Sequence, residues 1–160
     1  MTLALMLSKL QHKVILLDKN SKKKLLELKD FRTSAISQGS SRILKDISIW
    51  NKIKEKAQPI NEINVSEGIK TDDLNFNSKS LNEGPLGYII DNTYLKKTVF
   101  KEVLKSNLIK FIGGIDIKDI KRTSDIATIF SNKGNFKASL IIGADGRNSR
   151  MRFFADIKSF

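Results

Sequence analysis

The sequence predicts one α/β domain in which helix–strand units are interrupted by a three-stranded meander. Amphipathic segments, with apolar residues every three or four positions, alternate with short apolar runs, as in helices that pack on a sheet. Three consecutive segments between 115 and 138 instead alternate apolar and polar residues, which favours antiparallel strands. The chain has 160 residues, the length of one domain, and 40% are hydrophobic, enough for a core.

The first elements are a helix, a strand and a polar segment. Thr2 to Leu10 has helical spacing, and the apolar run from Val14 ends in Asp18, which predicts a parallel strand buried on both faces. Residues 20–41 are polar and predict irregular structure, with Lys22 to Lys24 as a solvated loop. A helix is predicted from Arg42 to about Lys56, with Ser40 or Ser41 as its cap and Trp50 in the core.

The middle of the chain predicts short strands separated by turns. A strand is expected over residues 60–65, followed by a turn at Glu67–Gly68. Further strands are expected at 74–77 and 87–90, on either side of the break at Gly84–Pro85. Together these segments predict a small β region at about 60–90.

The last third contains the strongest local signals. Asn92 or Thr93 is expected to cap an amphipathic helix, and residues 108–112 are expected to form the strand that follows it. In the meander, Asn132 to Gly134 predicts the tight turn between the last two strands. Leu140 to Ile142 is then expected to form a final buried strand.

Composition limits the chemistry. There is no cysteine, so disulfides and thiolate nucleophiles are excluded, and the single histidine, His12, has no acidic cluster around it in sequence. We therefore expect no metal site. We also expect no catalytic side chain, since no base accompanies Ser40 and Ser41 to activate a nucleophile. No apolar stretch approaches the roughly 20 residues of a membrane span, which predicts a soluble protein. The absence of cysteine is compatible with the cytoplasmic location that we expect.

The formal net charge of +12 at pH 7 permits a second interpretation. A basic protein of this kind can bind nucleic acid or an anionic surface. However, only six of the 29 basic residues are arginines, and the lysines are spread along the chain rather than clustered. This alternative stays open beside the interpretation below, although specific nucleic-acid binding is not expected.

The most informative segment is GADGRNSRMR at residues 143–152. It follows an apolar run directly and joins glycines, an aspartate, arginines and Ser149, which is able to cap a helix. Glycines allow close approach of a phosphate, a helix start offers free N–H groups, and arginines offer charge-assisted bonds. Taken alone, an Asp-Gly turn with a polar tail explains the segment equally well.

GADG-x-x-S-x-x-R resembles the second nucleotide motif of FAD-dependent aromatic-ring hydroxylases of the para-hydroxybenzoate hydroxylase class. Other segments resemble the subgroup that hydroxylates ubiquinone precursors, in the order of that family. These segments are MTLALMLSKL at 1–10 with KVILLDK at 13–19, FRT at 31–33 with the serines after it, Trp50, QPI at 58–60, Val65, Glu67, and LGYII at 86–90.

The resemblance implies a partial Rossmann-like FAD-binding domain over residues 1–160, with about 60–90 as the start of an inserted substrate-side region. It implies that Asp18 accepts hydrogen bonds from the ribose of FAD, and that Arg32 lies near the FAD phosphates or ribose. Asp145 and Gly146 would serve the pyrophosphate, and Asp145 also the passing nicotinamide cofactor. Arg147 and Arg152 are weaker candidates, since either can instead pair with a local carboxylate.

The resemblance also implies the activity of the whole enzyme. FAD, reduced by NAD(P)H, carries the oxygen chemistry on an aromatic quinone-precursor ring, and the protein binds, orients and excludes water. The family's first strand and glycine-rich loop have no counterpart in these 160 residues, so we expect impaired FAD binding and no activity from this chain alone. Two versions follow: the chain associates with a complementary fragment, or it is an inert remnant. Peripheral contact with the inner membrane is a separate expectation about its location.

Overall fold

The computed structural model describes residues 1–66, 74–80 and 84–157, and it confirms the mixed α/β architecture. The chain divides into two compact units. The first comprises Met1–Leu16 and Lys22–Ile112, and the second comprises Leu17–Ser21 and Gly113–Phe160. The turn expected at Glu67–Gly68 lies outside the described residues, and the inserted region at about 60–90 stays a prediction.

The first unit contains most of the helices and two small antiparallel sheets. Its helices are α1 (Thr2–Lys9), α2 (Lys22–Glu27), α3 (Gln38–Asp46), α4 (Trp50–Ile53) and α5 (Asn92–Lys105), with single 3₁₀ turns at Lys54–Lys56 and Ser78–Ser80. Its strands are β2 (Thr33–Ser37), β3 (Gln58–Ile60), β4 (Glu62–Val65), β5 (Leu74–Asn77) and β6 (Gly87–Asp91). Strands β1 (Val14–Asp18) and β7 (Ile109–Gly113) pair with each other, and their last residues belong to the second unit.

Strand β6 is the centre of the larger sheet, whose order is β2-β6-β3. Ile89 lies opposite Ala35 on one side and Gln58 on the other, in antiparallel register. A Cβ atom at Gly87 would lie 2.6 Å from the carbonyl oxygen of Ile36. Strand β6 therefore requires glycine at this position, because the backbone of β2 lies too close for a side chain.

The core of the first unit lies around α5. Phe100 is 1% exposed, and its ring meets that of Phe111 edge-on with centroids 4.9 Å apart. Trp50 is buried as predicted and packs edge-on against Tyr88 at 4.6 Å. The core cluster contains thirteen buried residues: Ala4, Leu5, Ile36, Leu44, Ile47, Ile49, Trp50, Ile53, Ile90, Val99, Phe100, Val103 and Ile109.

The prediction that residues 20–41 are irregular is wrong. Lys22 to Lys24 begin α2 rather than a loop, and residues 33–37 form β2. The polar sequence of β2 gives little local signal, and the strand forms because all five of its residues pair with β6. A tertiary partner supplies the hydrogen bonds that the sequence pattern does not announce.

The prediction of a single helix from Arg42 to Lys56 is also wrong, because two helices, α3 and α4, and a 3₁₀ turn occupy this range. Helix α3 starts earlier than predicted, at Gln38, because its cap is Ser37 rather than Ser40 or Ser41. The Ser37 hydroxyl accepts a hydrogen bond from the Ser40 amide. Ser48 has a φ of +60°, a left-handed conformation that ends α3 before α4 begins. The cap of α5 is likewise Asp91, which accepts from the Tyr94 amide, rather than Asn92 or Thr93.

The second unit contains the meander of β8 (Ile117–Arg122), β9 (Ala127–Ser131) and β10 (Gly134–Ala138), followed by α6 (Arg150–Phe154). The strand order β10-β9-β8 and the tight turn at Gly134, whose φ is +100°, confirm the predicted meander. The buried strand predicted at Leu140–Ile142 is wrong, since Leu140 is 70% exposed and the segment pairs with no strand in the described part of the chain. Strand β1 is half-buried rather than buried on both faces, and its Ile15 is exposed.

Candidate functional site

The turn at residues 143–152 is built around the carboxylate of Asp145. One of its oxygens accepts a hydrogen bond from the Ser149 hydroxyl, and the other accepts from the backbone amide of Met151 at 3.1 Å. The Ser149 hydroxyl in turn accepts from the Arg152 amide at 3.1 Å and caps α6, as predicted. Asp145 therefore holds the shape of the turn with both of its oxygens.

The charge of Asp145 is stabilised by this geometry. Partial burial of the carboxyl raises its pKa, but hydrogen bonds from Ser149 and from the backbone amides of the turn lower it more, so the pKa lies below its usual value. The carboxyl is therefore ionised at physiological pH, and both of its oxygens act as acceptors in the turn.

Two positions of the motif require glycine, each for a different structural reason. Gly146 has a φ of +88°, where side chains are strained, although no atom lies near the position of an added Cβ. Gly143 has an ordinary φ, but a Cβ there would lie 2.9 Å from the Cβ of Met151. Sequence reasoning missed this second role, in which Gly143 lets the backbone pass directly against α6.

The two arginines predicted as weaker candidates are not paired with carboxylates. Arg147 is exposed and Arg152 is half-buried, and neither guanidinium has a hydrogen bond or an ion pair with any residue that the structure describes. Their donors are therefore available for another group. Whether they bind a cofactor stays a prediction.

Arg150, which sequence reasoning did not select, makes the long-range contacts of the turn. Its Nη1 donates to Asp116 Oδ1 and its Nη2 to the carbonyl oxygen of Ile117, both at 2.8 Å. The guanidinium carbon also lies 5.7 Å from the ring centroid of Phe154. Arg150 thereby attaches the start of α6 to the start of β8, and no local pattern indicates a partner 34 residues away.

Asp18, at the end of β1, belongs to the same unit. Its Oδ1 accepts from the Asn20 amide at 2.7 Å, and its carbonyl oxygen accepts from the Ile115 amide at 3.2 Å. The carbonyl oxygen of Asn20 accepts from the Gly114 amide at 3.1 Å. Residues 114–117 thus connect two turns, since they bond the Asp18 turn at one end and Arg150 at the other.

Arg32 lies in the first unit, within a separate cluster. Its Nε and Nη2 donate to the two carboxylate oxygens of Asp30 at 2.8 and 2.9 Å. The pKa of Asp30 is strongly lowered by these bonds, by a further one from Lys96 and by the charge of Arg32. The Arg32 side chain is 78% exposed. Asp30, like Arg150, was missed because it carries no motif of its own.

The curated relatives of this chain are ubiquinone-biosynthesis hydroxylases. The ubiquinone hydroxylase UbiL of Rhodospirillum rubrum is 28% identical over 129 residues, covering 80% of this chain and 30% of UbiL. The 3-demethoxyubiquinol 3-hydroxylase of Escherichia coli is 28% identical over 130 residues, covering 80% of this chain and 33% of that protein. The chain thus spans about a third of the length of these relatives. No protein-family model matches it.

Solved structures show the fold. The probable FAD-dependent monooxygenase PqsL of Pseudomonas aeruginosa superposes with a TM-score of 0.80 at 16% identity, over 99% of this chain and 43% of PqsL. The flavin-dependent monooxygenase PieE, solved with FAD and substrate, gives 0.76 at 15% identity, over 97% of this chain and 30% of PieE.

These relatives and structures confirm the resemblance and the partial FAD-monooxygenase fold. They give no support to the alternative of a basic protein that binds nucleic acid or an anionic surface. Separately, none of the helices in the described part of the chain has the length and apolar composition needed to cross a bilayer.

Proposed function

We propose that this chain carries part of the FAD site of a monooxygenase that hydroxylates the ring of a ubiquinone precursor, with NADH or NADPH as electron donor. The observation that carries the proposal is the linkage of the Asp18 turn to the Asp145 turn through residues 114–117, within one unit. The relatives supply the substrate class, and the resemblance alone supplies the nicotinamide donor.

The residues present fit parts of a dinucleotide. Asp18 Oδ2 has no hydrogen-bond partner in the described part of the chain, so it remains available as an acceptor for a ribose hydroxyl. Arg32 Nη1 is likewise available as a donor for phosphate oxygens. Gly146, Arg147 and Arg152 would present backbone and guanidinium donors to the pyrophosphate, and FAD when bound would supply the redox chemistry.

Asp145 has a more specific role in this proposal. Since both of its oxygens already accept hydrogen bonds within the turn, it would serve the cofactor by fixing the backbone of residues 145–151 rather than by a direct contact. The pyrophosphate would then be bound by donors, which suits its negative charge better than a carboxylate does.

We further propose that these 160 residues are not active alone and associate with a polypeptide that completes the fold. The relatives are about three times as long as the matched region. Large apolar side chains of the second unit are exposed, including Leu140 at 70%, Phe153 at 80% and Ile157 at 60%. Cytoplasmic location and contact with the inner membrane are further parts of the proposal that the resemblance alone supports.

A flavin titration tests the site. We expect the wild-type chain to quench FAD fluorescence with weak, saturable affinity and to show no NADH oxidation with a quinone-precursor analogue. Asp18→Ala should weaken binding about tenfold or more, because it removes a charged hydrogen-bond acceptor. The matched control is Asp125→Ala, an exposed carboxylate of the same unit, which among the described residues accepts a side-chain hydrogen bond from Ser124 alone.

Absence of saturable quenching at millimolar FAD, or equal losses in the two variants, would contradict the site assignment. Stoichiometric FAD in the purified wild-type chain, with turnover, would contradict the proposal that the chain is inactive alone. Size-exclusion chromatography with light scattering tests the exposed apolar surface, for which a stable monomer that does not bind a hydrophobic dye is the contrary result.

A further inference from the structure

The cluster around Asp30 joins one carboxylate to two cations in the first unit. The carboxylate accepts from Arg32 Nε and Nη2 at 2.8 and 2.9 Å, and from Lys96 Nζ at 2.5 Å. The Asp30 side chain is only 10% exposed, whereas those of Arg32 and Lys96 are 78% and 44% exposed. A nearly buried anion thus holds two cations that face outward.

The backbone beneath the cluster is fixed as well. The Asp30 amide donates to the Thr93 hydroxyl at 2.8 Å, and that hydroxyl donates to the Asp30 carbonyl oxygen at 3.0 Å. The Asn92 amide donates to the carbonyl oxygen of Arg32 at 3.1 Å. These bonds attach residues 30–32 to the first turn of α5, so the carboxylate is a rigid support rather than a mobile counter-ion.

The pair of hydrogen bonds from Arg32 to Asp30, here called the Asp30 fork, does not use the Nη1 side of the guanidinium. A guanidinium is planar, so two bonds from Nε and Nη2 to one carboxylate fix both its position and its orientation. Nη1 has no partner among the residues that the structure describes. The cluster keeps a net charge of one positive unit, because two cations share one carboxylate, and it therefore still attracts an anion.

We infer that Asp30 is a positioning residue, which holds the Arg32 guanidinium in place so that it binds the phosphate groups of the dinucleotide. This inference rests on the proposed function. Without Asp30, an exposed arginine must lose its side-chain entropy on binding, and Lys96 would have no anion to hold it near Arg32. The carboxylate therefore acts through Arg32, although its own charge opposes that of the ligand.

A double-mutant cycle tests this action with FAD as the ligand. Asp30→Asn keeps the shape of the side chain but removes its charge, and it should weaken FAD binding about threefold to tenfold when Arg32 is present. In an Arg32→Ala background the same substitution should change the dissociation constant by less than about twofold, because the group it positions is gone. A merely structural role predicts the same factor in both backgrounds.

Tighter FAD binding by Asp30→Asn would overturn the inference, because it would show that the carboxylate only competes with the phosphates. Equal factors in the two backgrounds would overturn it too. Thermal melts of the four proteins show whether each is folded before its affinity is compared.

A ligand-free measurement on the wild-type chain separates this inference from the proposed function. In ¹⁵N-detected spectra, the Arg32 Nε–H should be visible and slow to exchange with water, and the Arg147 Nε–H, which has no partner in the described part of the chain, is the control. If Arg32 exchanges as fast as Arg147, the inference is wrong whatever FAD does. If Arg32 is protected but FAD does not bind, the proposed function fails while the Asp30 fork stands.

Discussion

The two units of this chain differ in how they are held together. All thirteen residues of the core cluster lie in the first unit, whereas the buried apolar residues described in the second unit are Ile115, Ala127 and Ile129. Five of the six predicted cofactor residues, however, belong to the second unit, and only Arg32 belongs to the first. Most of the predicted cofactor residues thus belong to the unit with the smaller core.

This difference teaches that order in the second unit depends on side-chain hydrogen bonds more than on burial. Its turns are held by the Asp145 carboxylate, the Ser149 cap and the hydrogen bonds from Arg150 to residues 116 and 117. Leu140 and Phe153 remain exposed. Apolar burial dominates the free energy of folding, so we expect the second unit to open at lower free energy than the first.

The largest expected effect is that of Phe100→Ala. Phe100 is 1% exposed, so truncation should lower the free energy of unfolding by about 3 to 5 kcal/mol. The matched control in the second unit is Phe153→Ala, at 80% exposure, which should change it by less than about 0.5 kcal/mol. Urea denaturation followed by circular dichroism measures both, and similar losses would mean that the two units do not differ in this way.

A smaller effect is expected from Gly146→Ala. The φ of +88° is unfavourable for alanine, so the turn should lose about 1 to 2 kcal/mol, seen as faster amide exchange in residues 145–155. Gly39→Ala is the control, because Gly39 is helical and an added Cβ meets no atom closer than 4.0 Å. That control should stabilise α3 slightly. Equal exchange rates in Gly146→Ala and the wild type would show that this turn is already open.

Acid should loosen the same turn through Asp145. Because its pKa is lower in the folded than in the unfolded state, its contribution is fully present above the unfolded value of about 3.9. It is lost as the pH falls through the lower, folded value. We expect the amide shift of Met151 to titrate in that window, and the titration to disappear in Asp145→Asn. A midpoint above pH 4 would contradict the assignment.

The smallest effect is expected from Arg150→Ala. Arg150 and Asp116 are about 60% exposed, and exposed ion pairs contribute about 0 to 1 kcal/mol. Exchanging the charges, with Asp116→Arg and Arg150→Asp together, should recover part of any loss. A loss above 2 kcal/mol in unfolding experiments would show that this single contact, rather than the network of the turn, holds the second unit together.

Local sequence determined the elements whose signals lie within a few residues. The spacing of apolar residues predicts α5, and the turn at Asn132–Gly134 predicts the meander, because periodicity and turn chemistry act along the chain. Helix α1 also forms where predicted, but Leu3, Met6 and Leu10, which gave its helical spacing, are exposed. The Ser149 cap is likewise local, because its acceptor and donor are three residues apart. These features were predicted because each contains its own partners.

Tertiary structure decided what depends on distant partners. β2 forms from a polar segment because β6 pairs with it. Leu140–Ile142 pairs with none of the described strands, although it has the composition of a strand. In the site, the sequence selected Asp18, Arg32 and Asp145. Arg150 meets Asp116 across 34 residues, and Lys96 meets Asp30 across 66. Asp30 lies only two residues from Arg32 and was missed because it belongs to no motif. Side-chain spacing encodes periods of two and 3.6 residues but carries no record of such separations, so only the folded chain reveals which charges meet.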